Sequence, residues 1–154
     1  MASVSTASTS DEVTIGNLDG LVGYHLRRAS AVVGNDFSRA LDGTGMRQVL
    51  FGILSIVNAN PGINQGAVGR ALGIQRANMV SLINELVDRD LLDRKTAAED
   101  RRAFSLTLSP DGVAMFDNCL KRIRAHEDRL LSDLEPAERT ALIDLLSRIE
   151  AKER

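Results

Sequence analysis

The chain has 154 residues, 44% of them hydrophobic but only 3% aromatic, so its core must be aliphatic, which suits packed helices and argues against an all-β fold. Its 19 Lys and Arg against 21 Asp and Glu leave a formal net charge of -2, which carries no overall basic signature of nucleic-acid binding. The single cysteine, Cys119, excludes an internal disulfide, and no Cys/His cluster has the spacing of a zinc site.

Met1 to about Thr14 is rich in Ser, Thr and Ala and is expected to be a flexible arm, with residues 15–154 forming one unit. It has neither the basic start nor the apolar run of a secretory signal, and no segment approaches the ~18 apolar residues of a membrane span. A cytoplasmic protein without membrane contact is expected. Apolar residues recurring from Leu18 to Leu41 predict a first helix, within which Gly23 and Gly34 suggest close packing against another helix. Asp42-Gly43 ends it, and Thr44 stands where it can cap a second helix running to about Ala59. The stretch Asn58 to Gly62, NANPG, is a stop.

Two short helices follow, Gln65 to Leu72 with Asn64 as cap, and about Gln75 to Arg89, joined at Gly73. The second buries Met79, Leu82, Ile83, Leu86 and Val87 and turns Gln75, Arg76, Asn78, Ser81 and Asn84 the other way. From Pro61 to Asn84 there is no acidic residue, only Arg70 and Arg76. A helix-turn-helix with a polar, carboxylate-free face fits a DNA major groove, where Asn and Gln pair with adenine, Arg with guanine, and Ser with base or phosphate. A solvated surface helix is the plainer alternative.

Leu91 to Lys95 and Ala103 to Leu108 alternate as an antiparallel pair around the loop Thr96 to Arg102, TAAEDRR, which makes the motif winged, with limits of about 44–109. Arg94 and Lys95 on the first strand, and Arg70 before the turn, are candidate phosphate contacts. Arg101 and Arg102 at the tip suit the minor groove, or ion pairing with Glu99 and Asp100. Ser109 and Pro110 then open a long helix, and a last one after Pro136 carries Ala141, Leu142, Leu145, Leu146 and Ile149 along one face. A terminal helix this apolar predicts burial against a second copy, so a homodimer is expected. The expected fold is therefore mainly α with a small β-wing.

The ordered fragments Leu91-Leu92-Asp93-Arg94, Asp100-Arg101-Arg102 and Leu108-Ser109-Pro110-Asp111-Gly112 resemble the wing signature of the MarR family of bacterial winged helix-turn-helix transcription regulators. The resemblance runs from Leu18 to Ile149; Ser109 stands where the family usually has Thr, and keeps the capping hydroxyl. It implies a symmetric dimer in which the terminal helices, about 18–41 and 110–152, interleave as the dimerisation region, reading a pseudo-palindromic double-stranded operator. It also implies one tip arginine in the minor groove and an Asp-Arg pair bracing the wing.

A further implication is a pocket between the dimer helices and the DNA-binding lobe. Placed there, Tyr24, His25 and Arg28 are candidates for holding an anionic effector, an aromatic or phenolic acid or its acyl-CoA thioester, with Phe51, Leu54 and Phe116 as apolar walls. His25 is otherwise a buried core or interface histidine. Peroxide-sensing members carry a cysteine near the first helix; Cys119 is not there, so redox sensing is disfavoured and the cysteine reads as packing. His126, beside Glu127 and Asp128, is assigned no function, and no metal or cofactor is expected. With no nucleophile-base pair, an enzyme is not expected. The alternative is a winged-helix protein-interaction module without DNA readout, which would lack the steep salt dependence of DNA binding.

Overall fold

The computed structural model describes residues 13–96 and 104–153. It divides into two compact units with the boundary between Val32 and Val33. A 3-10 turn at Gly16–Gly20 precedes helix α1, Val22–Ala40. Then come α2, Gln48–Ala59, a two-residue strand β1, Ile63–Asn64, helix α3, Gln65–Leu72, and helix α4, Arg76–Asp88. Strands β2, Leu92–Thr96, and β3, Phe104–Leu108, lead to α5, Pro110–Leu130, and α6, Pro136–Glu150. The mainly helical fold with a small sheet is the one expected. Most of the expected N-terminal arm, and the tip residues Arg101 and Arg102, lie outside the described residues.

The core of the second unit is aliphatic, as the composition requires. Leu50, Ile53, Leu54 and Val57 of α2 meet Val68, Met79, Ile83, Leu86 and Leu106, with Phe116 and Cys119 on the α5 side. Each such side chain contributes roughly 1.5–3 kcal/mol by leaving water. Spaced at 79, 83 and 86, the buried residues of α4 lie on one stripe, which holds the opposite face outward.

Asn64 caps α3 as its position suggests, its side-chain oxygen accepting from the Ala67 N–H at 2.8 Å. Thr44 does not cap α2. Its hydroxyl donates to the Leu41 carbonyl at 2.6 Å and accepts from the Met46 N–H at 3.0 Å, closing the turn after α1. Helix α2 starts three residues later than that cap would place it, after the extended residue Arg47. A Cβ at Gly23 or Gly34 would meet nothing within 4 Å in this chain, so neither glycine is required by packing within the single chain.

The turn between α3 and α4 rests on two glycines. Gly73 adopts a left-handed conformation, φ 65°, that ends α3, and the Ile74 N–H reaches back to the Gly69 carbonyl at 2.8 Å. Gly69 is buried where the helices cross; a Cβ there would stand 2.9 Å from Met79 Cγ.

The sheet has the order β1-β3-β2, all antiparallel, with Ile63 opposite Leu106 on one side and Leu92 opposite Leu108 through Thr96 opposite Phe104 on the other. Its third strand was not expected from the sequence, because two residues are too short to show alternation. It ties the start of α3 to the wing. At the far end Arg139 donates to Asp128 at 2.8 Å and to the Leu131 carbonyl at 2.8 Å, fastening α6 to the end of α5. His126 Nδ1 lies 3.1 Å from Asp36 Oδ1, so this histidine joins α5 to the second half of α1 instead of standing among its helical neighbours Glu127 and Asp128.

Candidate nucleic-acid interface

Helix α4 begins at Arg76 after the extended Gln75, and its first turn contains no acidic residue. Gln75, Arg76, Asn78 and Ser81 are all exposed, while Asn84 is half-buried. Ser81 Oγ donates to the Asn78 carbonyl at 2.9 Å within the helix, so that hydroxyl turns outward only by giving up a local bond. Beside this face lies a cavity of about 660 Å³ running from α3 across α4 to the wing. Among the described residues Arg70, Arg76 and Arg94 line it and no carboxylate does, so three elements each deliver one cation to one trough. Such a concentration of positive charge is a local field that attracts anions, whatever the net charge of -2.

Two residues of this trough escape a reading of polar faces alone. Val80 is 45% exposed and lines the cavity; it lies one helical turn from both Arg76 and Asn84, where an apolar side chain can meet a thymine methyl. The i±4 relation to the two polar candidates was the available signal. Phe104, 40% exposed, carries the Arg94 guanidinium over its ring at 4.9 Å.

Arg94 also donates to Asn84 Oδ1 at 2.9 Å. The expected phosphate contact and the expected base reader are thus partners of each other, and through them the wing strand β2 is held to the reading helix. Lys95, exposed on β2 and opposite Ser105, has no comparable tie among the described contacts.

Behind the reading face, Arg47 at the start of α2 forms a fork onto Glu85 of α4, with bonds of 2.7 and 2.8 Å. The Arg47 hydrogen bonds hold the Glu85 carboxyl below the usual carboxylate range, and Glu85 in turn raises Arg47. Arg89 lies 3.9 Å from the same carboxylate and donates to the Gly45 carbonyl at 2.9 Å. Neither Arg47 nor Glu85 was singled out in the sequence, because 38 residues separate them.

The residues proposed for an effector fall into two groups, each within its own unit. Tyr24 accepts from Arg28 at 3.1 Å, and His25 is exposed with Nε2 2.9 Å from the Asp19 carbonyl, so His25 is not a buried histidine of this chain. Phe51 stacks on Phe116 with centroids 5.6 Å apart and planes at 9°, and meets Phe37 edge-on at 5.9 Å. Leu54 is fully buried in the core and walls no open pocket; one turn from Leu50 and Val57, it faces inward with them. Burial pushes the Cys119 thiol up, outweighing the lowering influence of the neighbouring Thr44 side chain. Among the described residues no group of three or more His, Cys, Asp and Glu can hold a metal, and no helix is long and apolar enough to cross a membrane.

A helix-turn-helix whose second helix exposes a polar face, a strand pair braced against that helix and a shared cationic trough define a DNA-binding winged-helix regulator. The chain belongs to the MarR family. The MarR family model matches residues 45–103, which span α2 to the wing. A putative transcriptional regulatory protein for the hcr operon of Thauera aromatica is 32% identical over 139 residues, covering 90% of this chain and 84% of the relative. Among solved structures, the transcriptional repressor CouR bound to a 23-mer DNA duplex has a TM-score of 0.85 at 35% identity, covering 90% of this chain and 99% of that one. CouR bound to p-coumaroyl-CoA has a TM-score of 0.77 at 33% identity, covering 90% and 98%. The chain is thus a transcriptional repressor of the MarR type, not an enzyme.

The Asn84–Arg94 brace makes a testable statement. Asn84→Ala and Arg94→Ala are each expected to weaken operator binding about fivefold to tenfold, and the double variant by little more than the worse single one. Strictly additive losses in a binding titration would show that the two side chains act separately.

Proposed function

We propose that the protein binds a pseudo-palindromic operator as a homodimer in the cytoplasm and represses transcription until a small anionic aromatic effector, an aromatic acid or its CoA thioester, releases it. The observation that carries the reading is the trough lined by Arg70, Arg76 and Arg94, with no carboxylate among its described lining residues, in a chain 35% identical to a repressor bound to DNA. In this reading Arg76 and Asn78 reach base edges, Gln75 and Ser81 reach bases or phosphates, Val80 meets a thymine methyl, and Arg70 and Lys95 contact the backbone. Arg94 and Asn84 hold the wing in place, and Arg101 and Arg102 enter the minor groove.

Leu142, Leu145 and Ile149 of α6, with Leu18, Leu21 and Val22 near the N-terminus, are all exposed in the single chain. A soluble monomer would not leave rows of large aliphatic side chains in water, so helices 18–41 and 110–152 are proposed as the dimer interface. The dimer would hold two reading helices about one DNA turn, ~34 Å, apart. The effector class follows from the 33% identity to a repressor bound to p-coumaroyl-CoA.

Binding-site selection from genomic fragments tests the proposal. The expected result is enrichment of a pseudo-palindrome whose affinity falls by about 10³ or more between 50 and 200 mM salt, as ~6 phosphate contacts per dimer require. No enriched sequence, or affinity indifferent to salt, would reject DNA readout.

A further inference from the structure

A groove of about 660 Å³ opens along α2, on the side that carries Arg47. Its floor is apolar: Phe37 and Phe51 from the first two helices, Leu72 and Ile74 from the end of α3 and the turn after it. Ser38, Arg47 and Gln48 supply its polar side chains, and among the described residues none that lines it is acidic. A mainly apolar lining with two aromatic rings and a single guanidinium suits a flat or acyl body ending in an anion.

Arg47 is shared between two places. It lines this groove, and the same guanidinium is forked onto Glu85 in the last turn of α4. A guanidinium presents one planar fork well matched to one carboxylate, so a second anion approaching edge-on competes with the first. The pair is open to water, with side chains 52% and 34% exposed, so solvent can replace either partner and the existing bond is a weak competitor.

We propose that Arg47 anchors the anionic group of an aromatic or acyl ligand lying in this groove, and that the ligand takes Arg47 from Glu85, unfastening the end of the reading helix from α2. The inference rests on the reading of an effector-released repressor, and supplies the residue that effector and reading helix share. Release follows because Glu85 then keeps only the more distant Arg89, which is itself occupied by the Gly45 carbonyl. Coupling of this kind is reciprocal: what the ligand takes from the brace, removal of the brace returns to the ligand.

That reciprocity gives a signature with two signs. The full-length protein is titrated calorimetrically with p-coumaroyl-CoA and with free p-coumarate, and operator binding is measured on the same preparations. Arg47→Ala is expected to weaken binding of the better probe about tenfold or more, having lost a charge-assisted fork. Glu85→Gln, which removes the competitor, is expected to strengthen it about twofold to fivefold. Both variants are expected to bind operator less tightly than the unaltered chain. If Arg47→Ala does not fold, Arg47→Lys, which keeps the charge but not the fork, is expected to show the same direction of loss.

Probe binding unchanged in Arg47→Ala, or unchanged or weakened in Glu85→Gln, overturns the proposal. An unaltered chain that binds neither probe overturns it too, while intact operator binding in that sample leaves the repressor reading standing. The two-signed signature in a protein that binds no operator would instead leave the anchor and strike the DNA-binding reading.

Discussion

Gly112→Ala is expected to lower the melting temperature by about 4–8 °C, although alanine is the better helix former. Gly112 lies in the first turn of α5, and its N–H donates to Ser109 Oγ at 2.9 Å. The Ser109 hydroxyl donates in turn to the Asp90 carbonyl, and the Ser109 N–H to the Leu91 carbonyl at 3.2 Å. These bonds draw the start of α5 onto the bend where α4 ends and β2 begins, a bend that Asp90 makes with a positive φ of 55°. A Cβ on residue 112 would fall on the Leu91 carbonyl oxygen and stand 2.9 Å from its carbon. Both sides of that contact are backbone, so no side chain can swing away.

Overpacking costs about 1–3 kcal/mol, and a backbone collision belongs at the upper end. Helix propensity returns at most ~1 kcal/mol. A net loss of about 2 kcal/mol corresponds, in a chain of this length, to the stated shift. Thermal unfolding followed by circular dichroism reads it, and a melting temperature equal to that of the unaltered chain would mean the approach is looser than the structure has it.

Gly112 also shows what the sequence can disclose. The run Leu108-Ser109-Pro110-Asp111-Gly112 was legible as a helix start and as part of the wing signature, because capping and proline preferences are local. The need for glycine was not, since it comes from Leu91, far off in the chain and brought near by the fold. The same division holds elsewhere. Asn64 as a cap and the stripe Met79, Ile83, Leu86 depend on spacing within one helix, and they stand where the spacing puts them.

Thr44 misled because a hydroxyl before a helical stretch can equally close a turn, and here it bonds back to Leu41. Leu54 was assigned to a pocket wall, but periodicity gives a face and not what covers it. The trough divides likewise: the stretch that brings Arg70 and Arg76 to it was legible as a run without carboxylates, whereas the Arg94–Asn84 brace and the Arg47–Glu85 fork are tertiary.

Arg76→Ala is expected to weaken operator binding about 10-fold to 100-fold with the melting temperature unchanged within ~1 °C. Arg76 is the first residue of α4, and a cation there faces the positive end of the helix dipole. Stability therefore gives no reason to keep arginine at this position, and an exposed substitution of this kind moves folding by no more than about 0.5 kcal/mol. DNA gives one. From the first turn of a reading helix a guanidinium reaches base edges, and a bidentate pair with guanine discriminates by about 1–3 kcal/mol. The loss should thus fall on the preferred operator and relax its sequence at one position per half-site.

Arg70→Ala is the contrast. Its side chain lines the same trough from α3 and is proposed as a backbone contact, so its loss should weaken all sequences alike and reduce the slope of log affinity against log salt by about one per contact removed. Titrating both variants against the selected operator and a scrambled duplex at several salt concentrations separates the roles. If Arg76→Ala weakened both duplexes equally and flattened the salt slope as Arg70→Ala does, Arg76 would be a phosphate contact and the sequence would be read by Asn78, Val80 and their neighbours on α4.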